Sequence, residues 1–366
     1  MNFTCNRETL QKYVIAADRV TGKNLPLPIL NLVLLSANNK SLVVRATNLE
    51  VGVEFTMNAH VATEGSVAIP GALLANILSG MSDEEIVTMS AKGGVCTLTT
   101  KTKRMIINGS LSDDFPTIPI IHDGEDFMIH SSKFIQGIRS VMMSASISDI
   151  KPEIASVYLY QSGSSLICVA TDSLRLAEKK INYVGNSISH GAIIPIKNII
   201  EIVKVCELVN DDVIGKITKN QISWMSGSIY VTSRLIQGVY PDYEQIIPKE
   251  YATEIVILKQ DLINTLKLST LFADKFNKII LSVNPEQKKC LISTKNSGVG
   301  EIESNLTVMM SGEPIEILLN GKHIFDCLSS IDRDSIAIHC NGFNKPVVIS
   351  GFGDPSFTYL TMPLTS

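Results

Sequence analysis

The chain has 366 residues, a net charge of −4, and 45% hydrophobic, 19% charged and 6% aromatic residues. This composition is typical of folded globular proteins and excludes the disordered, collagen-like and coiled-coil classes. Because one hydrophobic core rarely serves a chain of this length, two or three domains are expected.

The first predicted elements are an amphipathic helix, a strand over residues 41–48, and a second helix that begins at Pro70 after a short apolar strand. The proline is expected to be the first helical residue, where a missing N–H costs nothing. The apolar stripe of the first helix consists of Leu10, Tyr13, Val14 and Ala17.

The same elements are predicted twice more along the chain. Strands resembling residues 41–48 recur at residues 165–172 and 290–295. Second helices begin at Pro195 and at a capping Asn320, so the three helix starts are 125 residues apart. The apolar stripes of the other two first helices are Phe134, Ile135, Ile138 and Met142, and Leu262, Ile263, Leu266 and Leu268.

A repeat of about 125 residues is too long for a solenoid of small repeats, and it predicts three tandem, similar α+β domains. Segments rich in proline, glycine and charge separate the repeats. The expected boundaries are residues 1–120, 126–248 and 252–366.

Motifs of common enzymes are missing from the sequence. It has no phosphate loop with a lysine, no dinucleotide-binding glycine motif and no G-x-S-x-G motif. The six histidines are never four residues apart, and the adjacent His339 and Cys340 lie on a predicted strand, which points them to opposite faces. We therefore expect no metal, no cofactor and no catalytic activity.

The seven cysteines are scattered without a C-x-x-C pair, which favours buried free thiols in a reducing compartment. A hydrolase that uses Cys168 or Cys206 is an alternative, although both lie in apolar runs with no histidine nearby in sequence. The first residues lack the pattern of a secretory signal, so a cytoplasmic location is expected. The apolar runs are also far shorter than the ~20 residues of a membrane helix.

Basic residues are not in excess in any third of the chain. Residues 1–121 carry 10 basic and 10 acidic side chains, residues 122–250 carry 12 and 14, and residues 251–366 carry 10 and 12. The predicted helices nevertheless place basic residues opposite their apolar stripes. One such helix alone is an ordinary solvated helix, but the recurrence on equivalent helices fits a surface that faces one common partner.

Several segments resemble the bacterial DNA sliding clamp family, the beta subunit of DNA polymerase III. The first is Ala-Thr-Asn-Leu-Glu-Val-Gly at residues 46–52, and the second is Val-Ala-Thr-Asp-Ser-Leu-Arg-Leu-Ala at residues 169–177. The others are Ser-Arg-Leu-Ile-Gln-Gly-Val-Tyr-Pro-Asp-Tyr at residues 233–243 and Tyr-Leu-Thr-Met-Pro-Leu at residues 359–364. The resemblance extends along the whole chain, in order.

This resemblance implies the DNA clamp fold, an α+β fold of three tandem domains that each have two helices and antiparallel sheets. Two chains would form a head-to-tail ring dimer that encircles duplex DNA without sequence preference and tethers polymerases without catalysis. The implied partners are the replicative polymerase catalytic subunit, the clamp loader, and other polymerases and repair proteins that bind through short linear motifs, at the nucleoid and not at a membrane. The alternative is a threefold α+β scaffold that does not encircle DNA.

The resemblance also implies three sets of functional residues. The DNA-facing helix residues are Lys12, Lys23, Arg139, Lys197, Lys204 and Lys267. The peptide-binding cleft uses Lys151, Ile154, Thr171, Leu174, Arg175, Leu176, Pro241, Ile246, Asn320, His323, Pro346, Leu360, Met362, Pro363 and Leu364. The dimer interface uses Met105, Ile107 and Leu271.

Four residues in or next to the cleft depart from the family pattern. Family members commonly have Gly-His where this chain has Ser173-Leu174, an arginine where it has Lys151, and a tyrosine where it has His323. Ser173 and Leu174 make the rim of the cleft bulkier and more apolar. The departures leave open which partner peptide the cleft prefers.

Overall fold

The computed structural model describes residues 1–22 and 26–364, and Lys23 lies outside these ranges. The first repeat contains β1 (Asn2–Asn6), α1 (Arg7–Val20), β2 (Leu32–Asn38), β3 (Ser41–Thr47), β4 (Val51–Asn58), β5 (His60–Thr63), β6 (Gly65–Pro70), α2 (Gly71–Ser79), β7 (Ile86–Lys92), β8 (Val95–Thr99) and β9 (Arg104–Asn108). The second contains β10 (Glu125–His130), α3 (Ser131–Met142), β11 (Ser156–Ser162), β12 (Ser165–Thr171), β13 (Arg175–Asn182), β14 (Ala192–Pro195), α4 (Ile196–Cys206), β15 (Asp212–Ile217), β16 (Gln221–Ser226) and β17 (Ile229–Arg234). The third contains β18 (Thr253–Leu258), α5 (Lys259–Leu271), β19 (Lys278–Asn284), β20 (Lys289–Asn296), β21 (Gly300–Asn305), β22 (Val308–Gly312), β23 (Ile315–Asn320), α6 (Gly321–Leu328), β24 (Ser335–Cys340), β25 (Val347–Gly351) and β26 (Phe357–Thr361).

The chain divides into two compact units, each with two antiparallel sheets. The first unit comprises Met1–Ser132, Gly185–Ala192 and Lys197–Leu235, and the second comprises Lys133–Val184, Ile193–Ile196 and Ile236–Ser366. The first unit has a five-stranded sheet, β5-β1-β7-β8-β9, and an eight-stranded sheet, β10-β15-β16-β17-β4-β3-β2-β6. The second unit has a nine-stranded sheet, β14-β11-β12-β13-β26-β25-β24-β18-β22, and a four-stranded sheet, β21-β20-β19-β23.

The two largest sheets each join strands of two successive repeats. In the first unit β17 pairs with β4, so that Thr232 lies opposite Gly52. In the second unit β26 pairs with β13, so that Leu360 lies opposite Leu176. Backbone hydrogen bonds therefore continue from repeat to repeat, and the repeats share sheets instead of closing separately.

The predicted second helices are present, but the role of the prolines differs from the expectation. Pro70 is the N-cap of α2 and the last residue of β6, and Pro195 ends β14 directly before α4. The prediction that these prolines occupy the first helical position was wrong by one residue. The Asn320 cap of α6 is confirmed, because its side-chain oxygen accepts hydrogen bonds from the N–H groups of Lys322 and His323 at 3.0 and 3.1 Å.

The apolar stripe of α5 also differs from the prediction. Leu262 and Leu266 are buried, whereas Leu268 is 51% exposed. Leu268 is six residues after Leu262, which turns its side chain away from the core. The core-facing side of the helix buries Thr265 and Ser269 instead. No helix in the described part of the chain is long and apolar enough to cross a membrane.

All seven cysteines are buried free thiols. Burial raises the pKa of Cys168 and of Cys206 to about 12. Because the thiolate is the reactive form, neither residue has the environment of a nucleophile. The buried thiols therefore favour a structural role in the cores of the sheets over the hydrolase alternative.

We expect the folded protein at pH 8 to react with a thiol reagent only as fast as it unfolds, because the buried thiols stay protonated and covered. Quantifying labelled cysteines by mass spectrometry, with and without denaturant, measures this. In denaturant all seven should be labelled. Fast labelling of Cys168 or Cys206 in the folded protein would revive the hydrolase alternative.

Candidate functional site

A tight turn between β12 and β13 places three of the predicted cleft residues. The side-chain oxygen Oδ1 of Asp172 accepts the N–H groups of Leu174 and Arg175 at 2.9 and 3.0 Å. Ser173 has a φ of 78°, a left-handed conformation that favours glycine. The family's glycine at this position thus suits the turn, and the chain forms the same turn with a serine.

Arg175 connects this turn to α6. Its Nε donates to Asp172 Oδ2 at 2.9 Å and its Nη1 donates to Asp326 Oδ2 at 3.0 Å, with 11% of the side chain exposed. Two carboxylates therefore fix the guanidinium and offset its charge. Arg175 therefore holds the turn against α6.

Next to the turn lies an apolar cluster centred on the β13–β26 pair. Leu176 and Leu360 are buried in it, and Met362 packs against it while remaining partly exposed. Tyr158 and Tyr240, whose rings stack at 4.8 Å, belong to the same cluster. This arrangement provides an apolar floor with an adaptable methionine at its edge.

The segment after β26 is held by two backbone hydrogen bonds. The N–H of Met362 donates to the carbonyl of Leu174 at 2.8 Å, and the N–H of Leu364 donates to the carbonyl of Leu318 at 2.8 Å. Met362, Pro363 and Leu364 are half-buried, whereas Leu174 is 58% exposed. Apolar side chains from this segment and from the turn therefore lie side by side, partly accessible to a ligand.

Helix α6 contributes His323 and Asn320 to the same region. The hydroxyl of Tyr359, on β26, donates to the backbone carbonyl of His323 at 2.8 Å. Partial burial lowers the pKa of His323, and the nearby Arg175 lowers it further. The imidazole is therefore neutral at pH 7, whereas the Asn320 side-chain oxygen is occupied by capping the helix.

The remaining predicted cleft residues are less closely connected. Thr171 is buried, and its hydroxyl donates to the carbonyl of Arg175 at 2.7 Å, which stabilises the turn. Ile154 is also buried, and its N–H donates to the carbonyl of Lys151 within the loop after α3. Pro241 and Ile246 are exposed, and Pro346 is half-buried. For all of these residues a role in peptide binding stays a prediction.

Sequence reasoning missed the two carboxylates of this site, Asp172 and Asp326. The repeat could have indicated Asp172, because Asn48 at the equivalent place in the first repeat forms the same turn and accepts the N–H groups of Glu50 and Val51. No sequence pattern indicates Asp326, since it lies 151 residues from Arg175. In the described ranges, 1–22 and 26–364, no group of His, Cys, Asp or Glu side chains is placed to hold a metal ion.

The basic helix residues of the first unit have different surroundings. Lys12 and Lys197 are exposed on α1 and α4, and Nζ of Lys12 donates to the carbonyl of Leu208 at 3.3 Å. Lys204 is half-buried and forms an ion pair with Glu201 at 2.7 Å. In the second unit, Arg139 on α3 and Lys267 on α5 are exposed. Glu201 thus offsets the charge of Lys204 locally.

Two of the three predicted interface residues, Met105 and Ile107, lie on β9, which is an edge strand of the five-stranded sheet. Ile107 is buried within the first unit, whereas its neighbour Ile106 is 63% exposed, a residue that the sequence prediction missed. Met105 is half-buried, and Leu271, at the end of α5, is 68% exposed. Ile107 can therefore contribute to an interface only through its backbone, while Ile106 and Leu271 present apolar side chains.

Comparison with protein families finds one family along the whole chain. The N-terminal, central and C-terminal domain models of the DNA polymerase III beta subunit match residues 1–119, 128–242 and 244–365. The beta sliding clamp of Synechococcus elongatus is 26% identical over 371 residues and covers 100% of this chain and 99% of its own length. The beta sliding clamp of Staphylococcus epidermidis is 23% identical, with the same coverage of both chains.

Solved structures show the same fold. The DNA polymerase sliding clamp of Bacillus subtilis superimposes with a TM-score of 0.95 at 22% identity, over 100% of this chain and 99% of that one. The sliding clamp of Pseudomonas aeruginosa bound to griselimycin gives a TM-score of 0.94 at 23% identity, over 100% of both chains. The three family models, in order along one chain, show that it belongs to the DNA polymerase III beta subunit family, the beta sliding clamps, which are processivity factors and not enzymes.

Proposed function

We propose that two copies of the chain join head to tail into a closed ring that encircles duplex DNA. The family implies DNA and the polymerase as partners. We place the domains of each copy at residues 1–120, 126–248 and 252–366, and the ring in the cytoplasm at the nucleoid. The polymerase catalytic subunit, the clamp loader, and other polymerases and repair proteins would dock through short linear motifs.

The observation that carries this proposal is a matched pair of open sheet edges. The five-stranded sheet ends at β9 and the four-stranded sheet ends at β21. By order along the repeats, β9 corresponds to β17 and β26, whereas β21 corresponds to β4 and β13. Since β17 pairs with β4 and β26 pairs with β13, the same rule pairs β9 of one copy with β21 of another.

The repeat also predicts the register of this intermolecular pair. Leu176 is the equivalent of Gly52 in the second repeat, 124 residues later, and a further 124 residues lead to Gly300 in the third. Thr232, the partner of Gly52, lies 125 residues after Ile107, which is its equivalent in the first repeat. Ile107 should therefore lie opposite Gly300, which places Arg104 opposite Glu303. Arg104 and Glu303 are both exposed, so this register joins the exposed faces, and a slip by one residue would not.

The modest charge of the helices suits a ring that slides. A protein that neutralises many phosphates loses affinity steeply with salt and is held in place by each contact. A few flexible cations, such as Lys12, Arg139, Lys197 and Lys267, attract the backbone equally in every register. Enclosure by the ring supplies retention, so the net charge of −4 is compatible with DNA as the partner.

The cleft of the second unit is the proposed docking site for partner peptides. Its apolar floor, the half-buried segment 362–364 and the exposed Leu174 offer pockets for two or three apolar side chains. The griselimycin-bound clamp of Pseudomonas aeruginosa supports a ligand site on this fold. With Leu174 at the rim, this chain should prefer an apolar side chain where relatives with histidine accept a polar one.

The central test is retention on DNA. After loading onto nicked circular DNA, the protein should co-elute with the circle during gel filtration and be released when a restriction enzyme linearises it. A ring has no other hold on the duplex, so free ends let it slide off. Retention that survives linearisation would contradict encirclement and favour the scaffold alternative.

Charge variants test the proposed register through the stability of the dimer. Arg104→Glu or Glu303→Arg alone should raise the dimer Kd about tenfold, since each ring has two such contacts worth about 0.7 kcal/mol each. The double variant should restore the dimer, measured by analytical ultracentrifugation. If the double variant dimerises no better than the single ones, the register is wrong.

Charge reversal on the helices should weaken the attraction of the ring for the phosphates and flatten its salt dependence. The variant Lys12→Glu, Lys197→Glu, Lys267→Glu reverses three exposed residues, each worth about one unit of the log–log salt dependence when it contacts a phosphate. The measurement is the affinity for linear duplex at a series of salt concentrations. The matched control reverses three exposed lysines outside the helices, Lys40, Lys92 and Lys289, and should leave the salt dependence unchanged. An unchanged salt dependence in the helix variant would remove these residues from the DNA-facing set.

Removing residues 362–366 should weaken peptide binding at least about tenfold, because Met362 and Leu364 each contribute an apolar side chain. Fluorescence anisotropy of a labelled peptide that carries the family's clamp-binding motif measures this. Removal of residues 365–366 alone is the matched control and should leave affinity unchanged. Equal affinity of both truncated proteins would place the peptide elsewhere.

A further inference from the structure

In the second repeat, the solvent-exposed face of the eight-stranded sheet carries a row of apolar side chains. Met128 lies opposite Ile214, Ile214 opposite Met225, and Met225 opposite Tyr230, on four neighbouring strands of the eight-stranded sheet. Met128, Ile214 and Met225 are 51%, 47% and 48% exposed. The row therefore forms a continuous apolar strip across β10, β15, β16 and β17.

The corresponding row of the first repeat is different. By position relative to the following helix, Thr4 corresponds to Met128, and its row continues through Thr88, Thr99 and Arg104. In the first repeat the outer edge of the first strand is also paired, because β5 pairs with β1. In the third repeat β22 pairs with β18 in the same way. Within the described residues the second repeat has no equivalent strand, and β10 is the edge of its sheet.

One neighbouring segment borders the strip. The hydroxyl of Tyr230, the last member of the row, donates to the carbonyl of Pro119 and accepts the N–H of Ile121, which holds the segment between the first two repeats beside the strip. Ile120 of this segment is 57% exposed. Asp212 also lies beside the strip, two residues before Ile214 and on the same face of β15.

The dimensions of the strip fit a helix. Four strands span about 14 Å between the first and last members of the row, since neighbouring strands lie about 4.8 Å apart. One turn of helix rises about 5.4 Å, so a helix laid across the strands would place four apolar side chains over the four strands, at i, i+3 or i+4, i+7, and i+10 or i+11. An extended segment paired with β10 would reach only Met128.

Charge beside the strip defines the flanks of such a helix. Asp212 and Asp211 lie along one side, and Asp126, two residues before Met128, lies along the other, where it pairs with Lys216 at 2.6 Å. At the far end Tyr230 lies opposite Glu54, which is paired with Arg45 at 2.6 Å. Lys216 and Arg45 offset two of these four carboxylates, and the remaining charge of Asp211 and Asp212 favours a partner with lysine or arginine beside its apolar stripe.

We propose that this strip binds an amphipathic helix of a partner protein, with an apolar stripe of about three turns flanked by basic residues. Two methionines in the strip allow it to accept apolar side chains of differing shape. The site is separate from the peptide-binding cleft, because its residues all belong to the first unit and those of the cleft belong to the second.

The test uses the full chain labelled with carbon-13 at its methionine methyl groups. The probe is an 18-residue peptide with leucines at helical spacing flanked by lysines, compared with the same peptide carrying glutamates in place of the lysines. The lysine peptide should shift the signals of Met128 and Met225 and leave those of Met309 and Met362 unchanged. Shifts of Met362 alone, or equal binding of the glutamate peptide, would overturn the proposal.

Variants of the strip test this binding separately from ring formation. Ile214→Thr together with Met225→Thr should weaken binding of the lysine peptide about tenfold or more, since two apolar contacts are lost. Ile86→Thr, at a strand residue 59% exposed in the first repeat, is the matched control and should bind normally. Retention on circular DNA should be the same in all three proteins. Unchanged peptide binding in the double variant would overturn the proposal. So would the finding that the unchanged protein self-associates through the strip and that the double variant does not.

Discussion

Antiparallel pairing between strands of successive repeats is the interaction on which the rest of the structure depends. The β17–β4 and β26–β13 pairs satisfy backbone groups that each repeat alone would leave at an edge. Three repeats in one chain can form only two such junctions. The chain therefore has one open edge of each kind, β9 and β21, and a second copy offers the complementary pair.

The predicted cleft lies beside one of these strand pairs, and its side chains differ from those at the other pair. At the second junction the N–H of Met362 donates to the carbonyl of Leu174, and at the first the N–H of Arg234 donates to the carbonyl of Glu50. The backbone is thus equivalent, but a methyl group added at Gly52 would lie 2.8 Å from Cγ2 of Ile118. Ile118 fills the space at the first junction, whereas the second has a leucine in the sheet and a partly exposed methionine beside it.

Local spacing predicted the repeats, the helix starts and the strands at residues 41–48, 165–172 and 290–295, because these depend on neighbours in sequence. Contacts between distant residues were beyond that reasoning. The pairing of Arg175 with Asp326, the burial of Ile107 and the exposure of Ile106 all depend on which strand or helix lies alongside. The family resemblance named the cleft residues, yet it left out the two carboxylates that hold them in position.

The repeats share a backbone plan but use their surfaces differently. A side chain is free to diverge wherever the shared strand pairing needs only backbone atoms. The first repeat has threonines where the second has Met128 and Ile214, and it has a covering strand that the second lacks. Exposed methionine and isoleucine side by side on an open sheet face form an apolar patch of the kind that marks a protein interaction site. The same reasoning applies to the half-buried segment 362–364, where apolar side chains stay accessible beside a finished core.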